Sequence, residues 1–441
     1  MTGRLRAPLL HPSRTAAAAA AAMAVSASLL SGCGALPGGT ADSSKDPVTV
    51  MTWAPEGTHA TNMPGMPAMA QAYARWINAQ GGINGHPLKV LTCNDHNRSI
   101  RAARCARKAV NAKVAAVVGS YSQHGRAFVS PLEAAGIPYI GGYGISDEEF
   151  NSPLSYPVNG GQATLLAGSG RQLARQCERV SLVRPDTIAG DQLPGLLNSG
   201  LVQGERSPAK DVRAPEDATE YTRQAQLALS GVGADSDRLG TPGYNAKAAG
   251  GCVTAALGDR TDTFFDSFRR LQRDNHQVGI ASIVGSIQQS LVDRTGGKAS
   301  PLEGALATSW YPAADDARWS PMRKVIREQA FSDNRVDPAD PGVQTTWIAY
   351  TALRQVIESL GDDEISPRTI SQALDRGTTV DTGGLTPTLS WRHGDMLAVQ
   401  DFPRIVNAMV TFQVVRNGQL VAVRKGSVNV GETLEEHRQE G

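Results

Sequence analysis

The stretch RWINAQGGINGHPLKVLTCNDHNRSIRAARCARKAVNAKVAAVVGSYSQHGRAFVSPLEAAGIPYIGGYGIS, Arg75 to Ser146, decides the fold. Just before and into it, Met66, Met69, Ala70, Tyr73, Trp76 and Ile77 recur at three and four, a helix with one buried stripe. Gly81-Gly82 ends that helix, because glycine takes a left-handed cap without a Cβ penalty. Leu88–Thr92 reads as a short strand and Arg101–Ala112 as a helix with Ala103, Ala106 and Val110 on one side. Val114–Val118 is apolar without alternation, the mark of a parallel strand covered on both faces. Gly119 closes it, Ser120–His124 is a polar loop, Gly125–Ala135 a helix, and Ile137–Ile140 the next strand, ending at Gly141-Gly142. Ligands of such sheets sit beyond the carboxyl ends of the strands. Loops 119–125 and 141–146 are therefore the first candidates for a binding site.

The same residues carry a resemblance. WINAQGGINGHPLKVLTCND, ARKAVNAKVAAVVGSYSQ and LEAAGIPYIGGYGIS together resemble the substrate-binding proteins of ABC transporters for branched-chain amino acids, periplasmic binding protein fold type I. The likeness runs weakly on to about Leu420. It implies an α/β fold of two Rossmann-like, doubly wound lobes joined by three hinge crossings, near 158–160, 308–312 and 397–403. The expected division is 48–158 plus 312–400 for one lobe and 159–311 plus 401–430 for the other, with a charged tail at 431–441.

The remaining chain fits that frame. With 441 residues, two or three domains are expected, and 41% apolar residues suffice for their cores. A net charge of +1, with 43 basic and 42 acidic residues, gives no footprint for nucleic acid. Residues 1–32 read as an export signal: Arg4, Arg6 and Arg14, then an apolar run from Ala16 to Leu30, too short to span a bilayer. It ends Leu30-Ser31-Gly32-Cys33, which resembles a bacterial lipobox, so Cys33 is the expected lipid-bearing residue. Residues 33–47 form a polar tether. The protein is thus expected on the outer face of the cell membrane, held by a lipid anchor, as a monomer.

After the first strand, Val48–Trp53, a second βα series follows Tyr156–Ala163. Its strands are read at 180–183, 253–257, 279–284 and about 305–308, and its helices at 165–176, up to Leu201, at 217–230 and at 263–273. Gly231–Gly251 is read as a surface insertion, Ser309–Pro312 as the return crossing and Val343–Leu360 as a long helix packed on the first lobe. Gly384–Trp391 is similar to a strand of the resembled family, and Asn407–Val415 with Leu420–Val423 forms a hairpin through Asn417-Gly418. Four cysteines remain after Cys33. Cys93 ends a strand and Cys105 lies in the following helix, while Cys177 and Cys252 each precede a strand, so bridges Cys93–Cys105 and Cys177–Cys252 are expected.

No catalytic arrangement is present: no G-x-S-x-G elbow, no phosphate loop, no G-x-G-x-x-G after the first strand. No cofactor is expected and no cysteine or histidine spacing suits a metal. Cys93–Asn97 reads as a solvated turn. Binding of a small molecule between two lobes is the expected function. The candidate residues are Glu56, Ser122, Gln123, His124, Tyr143, Gly144 and Ser146 from the first lobe, and Asp186, Asp259, Ser286, Trp310 and Tyr311 from the second lobe and crossing. The resemblance implies further partners, a membrane permease and its ATPase; a ligand-sensing lipoprotein is the alternative. Gln123 stands where the family offers a serine, Gly144-Ile145 where it offers Ala-Thr, and Ser286 where an acid would meet an ammonium group. These departures point away from a plain branched-chain amino acid, toward a polar-aromatic or amide-like solute.

Overall fold

The computed structural model describes residues 45–58, 61–187, 189–215, 218–234, 250–272, 278–283, 286–399 and 401–436. The signal segment, Cys33 and most of the tether lie outside the described residues, as do 235–249 of the expected insertion and 437–441 of the tail.

The first lobe is built from β1 (Val48–Trp53), α1 (Gly65–Asn78), β2 (Leu88–Cys93), α2 (Ser99–Asn111), β3 (Ala116–Val118), α3 (Gly125–Ala134), β4 (Tyr139–Ile140), α4 (Glu148–Asn151) and β5 (Ser155–Tyr156). The sheet order is β2-β1-β3-β4-β5, all parallel, with Val50 opposite Val90 on one side and Ala116 on the other. Burial on both faces explains the unbroken apolar runs. Val50, Val118 and Ile140 pack with Met66, Met69 and Tyr73 of α1, while Met51, Trp53 and Val117 pack with Cys105, Ala106, Phe128 and Leu132 of α2 and α3.

The chain then runs through α5 (Gly161–Ala174), β6 (Arg179–Pro185), α6 (Leu193–Gln203), β7 (Lys210–Ala214), α7 (Thr222–Gly231), β8 (Gly251–Ala255), α8 (Thr261–Leu271), β9 (Gly279–Ile283), α9 (Gln289–Arg294) and β10 (Leu306–Ser309). Strands β7, β6, β8, β9 and β10 are parallel neighbours in that order. Helices α5 and α6 cross so closely that a Cβ on Gly200 would stand 2.1 Å from the Ala167 carbonyl oxygen, so glycine is required there. The opposite face carries Phe264, Phe265 and Phe268 of α8.

From β10 the chain returns through α10 (Ser320–Gln329), α11 (Pro341–Leu360) and α12 (Pro367–Arg376), and α10 and α11 pack on α1. It ends in β11 (Met409–Arg416), antiparallel to β10, then β12 (Gln419–Ala422), β13 (Val428–Asn429) and α13 (Gly431–Glu436). Asn417 and Gly418 both take positive φ, 54° and 74°, as a two-residue hairpin turn requires.

Both expected disulfides are closed, Cys93–Cys105 and Cys177–Cys252, each with a Cα separation of 5.8 Å. Three local readings change. Gly384–Trp391 is not a strand; only the isolated bridge Val380–Leu389 forms, because Thr382 and Thr386 lock a turn through their hydroxyls and Pro387 has no amide to donate. Strand β7 was not foreseen, since Lys210, Asp211 and Arg213 leave only Val212 and Ala214 facing the core of this edge strand. The first turn of α5 begins at Gly161, four residues before its apolar pattern.

Candidate functional site

Parallel strands end on one side, so the loops after β1, β2, β3 and β4 gather at one edge of the first sheet. Backbone and side chains weld them together. The Trp53 amide donates to Ser120 Oγ at 3.1 Å and the Tyr121 amide to the Trp53 carbonyl at 3.0 Å. The Tyr143 amide donates to the Ser120 carbonyl at 2.9 Å. Glu56 and Asn94 exchange two bonds, amide to Oδ1 and Nδ2 to carbonyl, at 3.1 and 3.0 Å.

Two buried carboxylates lie beneath these loops, and neither was among the sequence candidates. Asp95, fully buried, accepts the Ser122 hydroxyl at 2.6 Å and the Asn97 amide at 3.1 Å. This overturns the reading of Cys93–Asn97 as a solvated turn: the carboxylate pulls the loop inward because buried hydroxyls and amides need acceptors. Glu149 accepts the Gly144 amide at Oε2 and the Ile145 and Ser146 amides at Oε1, each at 3.0 Å, with the Ser146 hydroxyl at 3.2 Å. Burial pushes its pKa up to about 7 although all four donors oppose that shift. The signal for Glu149 was legible, since Ser146 and Glu149 stand at the spacing of a capping box.

The sequence candidates of the first lobe and the crossing largely come together. The Tyr143 ring meets Tyr121 at 5.2 Å and Trp310 at 5.0 Å, both edge-on, and Trp310 continues to Tyr311 at 6.0 Å. Trp310 Nε1 donates to the Gly161 carbonyl at 2.9 Å. The buried Tyr311 hydroxyl bonds Asn159 Nδ2 and Thr345 Oγ1, each at 3.1 Å, and burial pushes its pKa up to about 12. Gln123 is exposed and donates to the Tyr121 hydroxyl at 3.1 Å. His124 Nε2 is buried without a hydrogen-bond partner among the described residues. Glu56 also pairs with Arg335 at 3.5 Å.

The second-lobe candidates are more scattered. Asp186 is half-exposed and pairs with Arg213 at 3.5 Å. Asp259 lies in a short helical turn, Gly258–Arg260, and its side chain is outside the described residues. Ser286 is buried at the start of the segment leading to α9, with its amide on the Ile283 carbonyl.

The strand-end loops of the two lobes touch. Gln192 Nε2 donates to Asp147 Oδ2 at 3.0 Å, and a Cβ on Gly258 would come within 3.0 Å of Thr61 Oγ1. A cavity of about 30 Å³ between Ile287–Gln289, Ser309, Pro312 and Gln344 has room for little more than a water. A larger groove of about 770 Å³ lies elsewhere, between 312–318, the turn 384–387 and the loop 422–427, and shares only Trp310 with the candidate set. No group of three metal-ligating side chains occurs among the described residues. None of their helices is long and apolar enough to cross a membrane.

Two sheets with facing strand-end loops define a two-lobed binding protein of α/β class. The chain belongs to the periplasmic binding protein family, whose model matches residues 51–419. This is a family of binding proteins, not enzymes. No curated protein matches the sequence. Among solved structures, a possible leucine/isoleucine/valine-binding protein from Rhodopirellula baltica is similar, with TM-score 0.68 at 13% identity over 90% of this chain and 100% of that one. A branched-chain amino acid ABC transporter protein from Thermus thermophilus with bound valine gives 0.67 at 15% identity, over 89% and 99%. A solute-binding protein from Rhodopseudomonas palustris in complex with 3,4-dihydroxy benzoic acid gives 0.65 at 14%, over 87% and 97%.

Proposed function

We propose that this protein is an exported lipoprotein, anchored through Cys33, that captures a small solute between its lobes and delivers it to an ABC permease. The observation that carries the binding step is the contact of the two sets of strand-end loops, Asp147 with Gln192 and Thr61 beside Gly258. A solute enters when the lobes part about the expected crossings near 158–160, 308–312 and 397–403, and favours closure by contacts made only in the closed state.

The solute is polar-aromatic or amide-like. Tyr121, Tyr143 and Trp310 supply ring edges and faces, and the Ser122 and Ser146 hydroxyls already donate inside the protein. The fold tolerates such ligands: the Rhodopseudomonas palustris neighbour holds 3,4-dihydroxy benzoic acid, whereas the Thermus thermophilus neighbour holds valine.

A thermal-shift screen of metabolites tests the reading. A ligand at a hundredfold excess over its Kd adds about 2.7 kcal/mol of stability. Aromatic phenols and amides should raise the midpoint; tight calorimetric binding of leucine or valine with no aromatic hit would overturn the assignment.

A further inference from the structure

The donors of the strand-end loop at 144–146 are already engaged by an anion that belongs to the chain. A carboxylate accepts at about four lone-pair positions, and Glu149 receives four donors. Glu149 is 1% exposed, and a Cβ on Gly142 would stand 2.0 Å from its Oε2, so the backbone is wrapped around the side chain. In the neighbouring loop, Asp95 takes the Ser122 hydroxyl, and Ser122 Oγ in turn accepts the His124 amide at 3.2 Å. These N–H and O–H groups are the kind that would otherwise grip a carboxylate arriving in the cleft.

We propose that Glu149, with Asp95 beside it, is a specificity-determining residue: a built-in anion that fills the donors of residues 144–146 and bars a carboxylate head group from this wall, leaving the cleft to a neutral or cationic polar-aromatic solute. The proposal rests on the reading of the cleft as a solute site. Above pH 7, where the Glu149 carboxyl is ionised, charge points the same way, since like charges in a partly desolvated site repel strongly. The nearby cations are engaged, Arg126 on Glu148 at 3.0 Å and Arg335 on Asp333 and Glu56. His124 Nε2, buried and unpartnered among the described residues, suits a hydroxyl or amide of a neutral solute.

Two measurements decide it. In Glu149→Ala the vacated donors should accept a small carboxylate, so sodium formate should raise its thermal midpoint. Sodium chloride at equal ionic strength should not, and wild type should respond to neither; absence of a formate-specific rise in the variant would sink the proposal. If Glu149→Ala fails to fold, Glu149→Gln is followed by hydrogen exchange. Exchange at the 144–146 amides should then be at least about tenfold faster than in wild type, and wild-type protection counts against the idea.

The second measurement is calorimetry at pH 8 with 4-hydroxybenzamide and 4-hydroxybenzoate. The acid should bind wild type about tenfold or more weakly than the amide, and Glu149→Gln should narrow that gap. Equal or tighter binding of the acid overturns the proposal. If neither compound binds, the aromatic-solute reading falls, and the formate result alone decides the role of Glu149.

Discussion

Asn159 Nδ2 donates to the Tyr311 hydroxyl at 3.1 Å, joining the segment after β5 to the segment after β10. Around this bond, Asn407 Nδ2 reaches the Val158 carbonyl at 3.0 Å and Thr411 Oγ1 the Tyr311 carbonyl at 2.6 Å. The segments at Val158–Asn159, Tyr311 and Asn407–Thr411 are thus cross-linked by side-chain amides and hydroxyls.

Tyr311→Phe should lose about 1 kcal/mol for each broken hydrogen bond. It should also soften alkaline unfolding. Burial raises the Tyr311 pKa from 10.0 to about 12, so its contribution is complete below pH 10 and fades as pH rises through 12. Urea melts at pH 9 and pH 11.5 check this: the pH-dependent loss should shrink in the variant, with the part due to Tyr73, Tyr139, Tyr156 and Tyr350 remaining. An unchanged loss would mean that Tyr311 does not couple to the alkaline transition.

Glu149 sets a second pH dependence. Its folded pKa of about 7 lies above the ordinary 4.5, so the native state holds its proton more tightly than the unfolded chain. The resulting stabilisation, about 3 kcal/mol at most, is full below pH 4.5 and is lost as pH rises through 7. Glu149→Gln does not titrate and should flatten the stability curve between pH 5 and 8. Denaturant midpoints across that range provide the measurement.

The two disulfides should differ in effect. Loop-closure entropy gives about 4.5 kcal/mol for the 75-residue span of Cys177–Cys252 and about 3 kcal/mol for the 12-residue span of Cys93–Cys105. Replacing Cys177 and Cys252 together by alanine should therefore lower the urea midpoint more than replacing Cys93 and Cys105. The reverse order would point to strain or residual structure in the unfolded chain.

Asp95→Ala should cost about 1–3 kcal/mol, because the Ser122 hydroxyl and Asn97 amide lose their buried acceptor. Ser122→Ala in the Asp95→Ala background should add less than it does alone, since the two share one bond. A double-mutant cycle in urea measures that coupling, and strict additivity would contradict the contact.

Much of the fold was legible because parallel strands buried on both faces carry apolar residues without alternation, as Val114–Val118 does, and Val48–Trp53 is apolar apart from Thr49 and Thr52. Strand β7 was not, since an edge strand has one covered face and Lys210, Asp211 and Arg213 disguise it. Of the candidate residues, Tyr143, Trp310 and Tyr311 come together, and the sequence marks them as aromatic residues at a strand end and in the segment 309–312. Asp95 was not legible, because an acidic residue in a polar loop reads as solvated until its neighbours are placed, whereas Glu149 carries the Ser-x-x-Glu spacing at 146–149.

The sequence alone determined most of the order of strands and helices, β7 and the segment 384–391 excepted, together with the cysteine pairs, since these follow from periodicity, glycine stops and chain proximity. Only the tertiary structure decided which polar groups of the strand-end loops are engaged within the protein. That depends on a carboxylate reaching across from another loop, Asp95 to Ser122, and on one buried against its own loop, Glu149. The desolvation that makes such pairs obligatory exists only once the chain has packed.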